Sequence, residues 1–317
     1  MPNAPWRNHF VPRFLLQPWA NSDGKIASYA KLPNGKVTLS WRSPKSVGYD
    51  IDLYTFPQLG ELATSLETGL FGRLDDAAAR VVQKMIVTQD QLTASEMDWW
   101  SFFLLSLVIR GPESINALKS VSAMLWQAPD HTSEAEYQNN RGHDDPPTLE
   151  AWLQKEAASN AAGRERLGHQ IIRSLTLHRN IAAYLKQMQW FVVTTDETQP
   201  PLLISDRPLF SSNGLKKRDG QLLLPLGPHA LFCAFHDKRF ADEIKAQPAE
   251  HIVRSVRQLT SVRAHRYVFG STAYEHDYLR DWLGYERVPT MGETLAQNWR
   301  ERGLTVARED AEYGDDD

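Results

Sequence analysis

Residues 93–112 read TASEMDWWSFFLLSLVIRGP, and the fold class turns on this stretch. Thr93 followed three residues on by Glu96 is the pattern of a capping box, so a helix opens here. It runs to Arg110, where Gly111-Pro112 stops it and starts a second helix reaching about Gln127. The first helix is apolar nearly all round and belongs at the centre of a core. Its apolar run, Trp99 to Ile109, is too short to cross a bilayer and is flanked by Asp98 and Arg110. The stretch therefore reads as the central helix of a soluble protein.

Upstream, residues 59–87 predict a long helix with Leu59, Leu62, Leu66, Leu70, Leu74, Val81 and Met85 on one face. Two strand-like runs precede it, 25–32 and 36–41, joined by Pro33-Asn34-Gly35, where Asn-Gly supplies the positive φ that hairpins require. Residues 8–19 read as an extended, proline-punctuated segment and 49–56 as an aromatic connector. Downstream, 128–148 is polar and reads as an exposed loop. Helices follow over 148–162 and 164–188, then strands over 190–195, 202–204, 221–226 and 229–235. Helices over 239–246 and 249–262 lead to a strand over 266–269.

The order of strands, helical block, then mixed strands and helices predicts an α+β fold and not a doubly wound sheet. We divide it as an N-terminal extended and hairpin segment packed on the core (1–58), a helical block (59–188), a mixed strand–helix part of the same domain (189–302) and an acidic flexible tail (303–317).

Of the 317 residues, 42% are hydrophobic and 23% charged, the usage of a globular chain. The net charge of −4 argues against a generic DNA-coating protein. The single cysteine, Cys233, excludes a disulfide framework or a cysteine-rich zinc module and reads as a small core residue. The N-terminal residues carry no apolar signal core, so a cytoplasmic location is expected. The sequence holds no P-loop, dinucleotide fingerprint, HExxH or GxSxG. Lys216-Lys217-Arg218 reads as a solvated hairpin tip and His143-Asp144-Asp145 as exposed.

The informative residues are polar ones in apolar surroundings. Glu67 falls inside the apolar arc of the 59–87 helix, and a carboxylate there must be paired, hydrogen-bonded, metal-bound or protonated. Its roles range from a structural ion pair to a catalytic group. His178 lies among Leu167, Ile171, Ile181 and Leu185 and reads first as a satisfied core histidine. Arg110 is either a cation at a helix C-terminus or a guanidinium directed into a cleft. His9 and Arg13 interleave with apolar residues around Pro12, which favours buried roles for both. Ser205-Asp206-Arg207-Pro208 follows an apolar strand, a place for a cleft-lining carboxylate and equally for a turn or N-cap.

Asn8-His9-Phe10-Val11-Pro12-Arg13-Phe14-Leu15-Leu16 resembles the opening motif of the bacterial family known as domain of unknown function 4238. Glu67, Arg110 before Gly111-Pro112, Trp190 before Ser205-Asp206-Arg207-Pro208, and Ala264-His265-Arg266-Tyr267-Val268-Phe269 match it in order, over about residues 8–270. The resemblance adds Arg266 as a further candidate. It also implies an Asn two turns before Arg266-Tyr267, where this chain has Arg257. Relatives in anti-phage loci make a defence role conceivable.

Three functions remain open. In the first, His9, Glu67 and Asp206 converge as acid, base or ligands of a divalent metal, with Arg13, Arg110 and Ser205 holding a phosphate-containing substrate such as a nucleotide or nucleic acid for hydrolysis. In the second, the same residues form a non-catalytic ligand-binding or sensor centre. In the third, Glu67–Arg13 and Asp206–Arg110 are structural ion pairs. No membrane partner is expected.

Overall fold

The computed structural model describes residues 7–125, 134–212, 217 and 219–302. It is an α+β chain with three antiparallel sheets. A ribbon pairs β1 (Arg7–His9) with β4 (Tyr49–Ile51). A second sheet has the order β3-β2-β10-β6, from β2 (Ile26–Lys31), β3 (Val37–Arg42), β6 (Ile204–Ser205) and β10 (Tyr267–Gly270). The third has the order β5-β9-β8-β7, from β5 (Gln189–Thr194), β7 (Phe210–Ser212), β8 (Gln221–Gly227) and β9 (Ala230–Phe235). The β2–β3 hairpin turns where the Asn-Gly pair predicts, with Gly35 at φ +82 and the Leu32 N–H bonded to the Lys36 carbonyl at 2.8 Å.

Between the sheets in sequence lie α2 (Gly72–Gln83), α3 (Ala94–Ile109), α4 (Pro112–Leu125), α5 (Glu134–Asn140), α6 (Leu149–Thr176) and α7 (Arg179–Leu185). A short α1 (Arg13–Leu16) precedes them; α8 (Lys238–Ala246), α9 (Ala249–Arg263), α10 (His276–Trp282) and α11 (Met291–Arg302) follow the third sheet. The capping box forms as expected: the Thr93 N–H donates to Glu96 Oε2 at 2.7 Å, and the Glu96 N–H to Thr93 Oγ1 at 3.2 Å. Along α3, Trp100, Phe103, Leu104 and Ile109 are buried. Two buried serines are satisfied by the preceding turn, Ser101 through the Met97 carbonyl and Ser106 through the Phe103 carbonyl. Trp100 stacks on Phe103 and meets Phe232 of β9 edge-on, both at 5.2 Å, which ties the central helix to the third sheet. One apolar cluster runs from Phe10 through this helix to Phe269, so residues of the N-terminal segment, the helical block and the mixed strand–helix part share a core.

Several expected elements differ. Residues 8–19 are not simply extended: they form β1, α1 and a 3₁₀ turn over Gln17–Trp19. The helix expected over 59–87 breaks near its start, because Gly60 adopts φ 56 and kinks the chain inside a separate 3₁₀ segment, Pro57–Leu62, where Leu62 is exposed. The remainder holds two π-helical turns, Leu66–Phe71 and Lys84–Thr88, around α2. The stretch expected to be an exposed loop contains α5, anchored by buried Tyr137, whose hydroxyl donates to the Pro146 carbonyl at 2.7 Å; its residues 128–133 lie outside those described. The helix break falls at His178 and not at Gly163, which continues within α6. Strands β6 and β10 begin one or two residues later than expected. Most of the basic 216–218 run, and the tail from Gly303, also lie outside the described residues.

Candidate functional site

Two polar centres emerge, joined in sequence by the corner Arg110-Gly111-Pro112-Glu113. The first gathers around Arg110, which caps α3 and is 1% exposed. Its guanidinium makes a bidentate pair with Asp75 of α2, at 2.7 and 3.1 Å, and lies 4.8 Å over the Phe71 ring. Phe71, the residue just before α2, and Asp75 of α2 are one turn apart, so the start of this helix presents a ring and a carboxylate to one cation. The Tyr54 hydroxyl donates to the Arg110 carbonyl at 2.7 Å, closing the helix end. The structural pairs expected from the sequence, Glu67–Arg13 and Asp206–Arg110, are therefore replaced by Asp75–Arg110, and Arg13 is exposed instead of buried.

Glu67 stands beside this pair on the π-helical turn before α2, a type of helix irregularity common at functional sites. It is half-buried, and burial pushes its carboxyl up to about 7; the charge of Arg110 and hydrogen bonds from the Asn8 side chain and the His9 backbone oppose that rise, and Asp75 adds to it. Asn8 is buried, and its Oδ1 accepts from the Tyr54 N–H at 3.1 Å. The His9 ring packs against Tyr49 of β4, with centroids 5.6 Å apart. Burial lowers the His9 pKa; the Lys45 carbonyl works against this, and the charges of Arg13, Arg110 and Arg7 add to it. Among the described residues, eight buried side-chain atoms have no hydrogen-bond partner, and His9 Nε2, Glu67 Oε2 and Arg110 Nε are three of them. These three come from separate segments that meet in one cluster.

The second centre is built on Asp206, just beyond β6 and 8% exposed. Its Oδ1 accepts from the His265 N–H at 2.8 Å, and its Oδ2 from the N–H groups of Arg266 and Tyr267 at 2.6 and 2.8 Å. Burial raises its carboxyl and these three donors oppose the rise. The residue thus fixes the turn that leads from α9 into β10. Ser205 serves the adjacent bend, its hydroxyl donating to the Arg207 carbonyl at 3.1 Å. The Glu113 carboxylate meets His265 Nε2 at 2.9 Å. Asp206, Glu113 and His265 line a cleft of about 200 Å³ whose walls do not include His9, Arg13, Glu67 or Arg110.

The sequence therefore points to one centre where the structure has two. No group of three or more His, Cys, Asp or Glu side chains among the described residues is placed to hold a metal ion, so His9, Glu67 and Asp206 are not brought together as a ligand set. His178 caps α7, its Nδ1 accepting from the Ile181 N–H at 3.4 Å. Arg257 is structural, donating to the Pro201 carbonyl and to Glu275. Sequence reasoning missed Asp75, Glu113 and His265. His265 lay within the quoted closing motif, and Glu113 lay in the first turn of the helix that Pro112 opens. A larger groove, about 520 Å³, lies along β5 near Met85, Leu92 and Trp190; Asp90 is the one charged residue in its lining.

The chain is thus an α+β protein in which a buried arginine, paired with a carboxylate, stands beside a half-buried His and Glu. The family model described as "Protein of unknown function (DUF4238)" matches residues 7–273, and the chain belongs to that family. No curated protein matches the chain. No solved structure matches it either. No helix among the described residues is long and apolar enough to cross a membrane.

Proposed function

We propose that the Asn8–His9–Glu67–Arg110 centre is an acid–base site that hydrolyses a small phosphate-containing substrate. The observation that carries this reading is the pair of unpartnered atoms, His9 Nε2 and Glu67 Oε2, on groups whose pKa values are pushed toward each other. At neutral pH the His9 ring is uncharged; its proton faces the Lys45 carbonyl and Nε2 keeps a free lone pair. Glu67 retains its proton over much of the same range. His9 then takes the proton from a water as its oxygen attacks phosphorus, and Glu67 gives its proton to the departing oxygen. Exchange with solvent returns both groups to their starting states. The exposed Arg7 and Arg13 lie near enough to His9 to lower its pKa, and neither forms a salt bridge with the described residues, so both can engage a phosphate, Arg7 from its place 5.0 Å over the Tyr49 ring. Arg110, held by Asp75, fixes the wall of the site. A nucleotide or nucleic-acid end suits this charge arrangement and is compatible with a role in anti-phage defence.

The test is a thermal-shift and hydrolysis screen against nucleotides and phosphodiesters, with and without divalent metals. It is run on the wild type, Glu67→Gln and His9→Ala. The expected result is turnover by the wild type and its loss in both folded variants. Ligand-dependent stabilisation without turnover in any condition would assign the centre to binding alone, and no response to any ligand would refute the reading.

A further inference from the structure

The cleft at the second centre has a chemistry of its own. His265 is held from two directions, its backbone by Asp206 and its imidazole by Glu113. With Nε2 engaged, Nδ1 is the remaining ring nitrogen. It makes no hydrogen bond to the described residues, and the side chain is 51% exposed. Arg266 lines the same cleft; its guanidinium lies 5.1 Å over the Tyr267 ring and forms no salt bridge with the described residues. Two donors with unspent capacity therefore share one small concavity.

Three carboxylates also line this cleft, and their commitments decide which ligand it accepts. Asp206 spends both oxygens on backbone N–H groups. Glu113 faces His265 on one side and Arg207 Nη2, at 3.8 Å, on the other. Asp50 is exposed, and its Oδ1 accepts from the Ile51 N–H. The hydrogen bond that His265 donates to the Glu113 carboxylate raises its pKa, with the charges of Glu113 and Asp206 adding and burial and Arg207 opposing, which favours the charged imidazolium. A cationic ligand would face an imidazolium and a free guanidinium, whereas an oxyanion would be bound by both. The remaining walls are aromatic, Phe10, Tyr49 and Tyr267, and suit an unsaturated organic group.

We propose that this cleft is a second, oxyanion-binding site that takes a small phosphate monoester, with His265 Nδ1–H and the Arg266 guanidinium as its donors and the aromatic walls covering the organic part. The site shares no proposed ligand-binding or proton-transfer residue with the Glu67 centre, so either reading can fail alone.

The test follows the imidazole nitrogen signals of His265 and His9 while the full chain is titrated with phenyl phosphate and, separately, with inorganic phosphate. Both probes are expected to shift His265, phenyl phosphate with about tenfold higher affinity. Arg266→Ala removes an exposed side chain that lies over the Tyr267 ring, and should weaken both probes about tenfold. Glu113→Gln should lower the His265 titration midpoint and weaken binding at neutral pH. Equal affinity for the two probes would overturn the monoester assignment in favour of free phosphate. An unmoved His265 signal, or unchanged affinity in Arg266→Ala, would overturn the site.

Discussion

Glu67 and Asp206 are both carboxylates written into apolar stretches, and the fold treats them differently. Asp206 receives three backbone N–H groups and organises a turn. Glu67 keeps one buried oxygen without a partner and holds its proton toward neutral pH. Burial of a charged residue type is thus a poor guide to its role, while the completeness of its hydrogen bonding sets Asp206, whose oxygens are both engaged, apart from Glu67, which keeps one oxygen unpartnered.

The comparison can be broken most strongly at Arg110. Replacing Arg110 with Met leaves Asp75 without its cation and is expected to cost about 3–5 kcal/mol in denaturant unfolding; a loss under 1 kcal/mol would show that the pair does not anchor α2 to α3. Asp206→Ala leaves three N–H groups without their acceptor and should cost about 3 kcal/mol, with little effect on ligand response at the Glu67 centre.

Glu67 sharpens the contrast through pH. The unfolded carboxyl ionises near 4.5 and the folded one near 7. The fold is therefore at full strength below the lower value, weakens as pH rises between the two, and levels off above the higher one. Allowing for partial exposure, the loss is about 2 kcal/mol, and Glu67→Gln should abolish this slope in unfolding measured across that range. The smallest effect belongs to Arg13: Arg13→Ala should change stability by less than about 0.5 kcal/mol while weakening phosphate-ligand affinity, which separates it from the buried Arg110.

Much of the scaffold was legible because it rests on local rules. The Thr93–Glu96 box, the Asn34-Gly35 turn and the apolar α3 each formed as their residues dictate. Glu67 was legible as a misplaced charge. Its surroundings were not, because a wheel of uniform pitch loses phase across the π-helical turn, and Asp75 comes round to face Arg110. Asp206 was legible as a strand-end residue, but its partners are backbone groups about sixty positions away, which side-chain identity does not encode. The separation into two centres follows from how β1–β4, α3–α4 and β6–β10 meet, a long-range outcome that no local spacing reports.

The most direct measurement is a carbon-detected titration of the Glu67 side-chain carboxyl in the folded protein, assigned by comparison with Glu67→Gln. A midpoint near 7 is expected, and ionisation at the ordinary 4.5 would contradict the account of this centre.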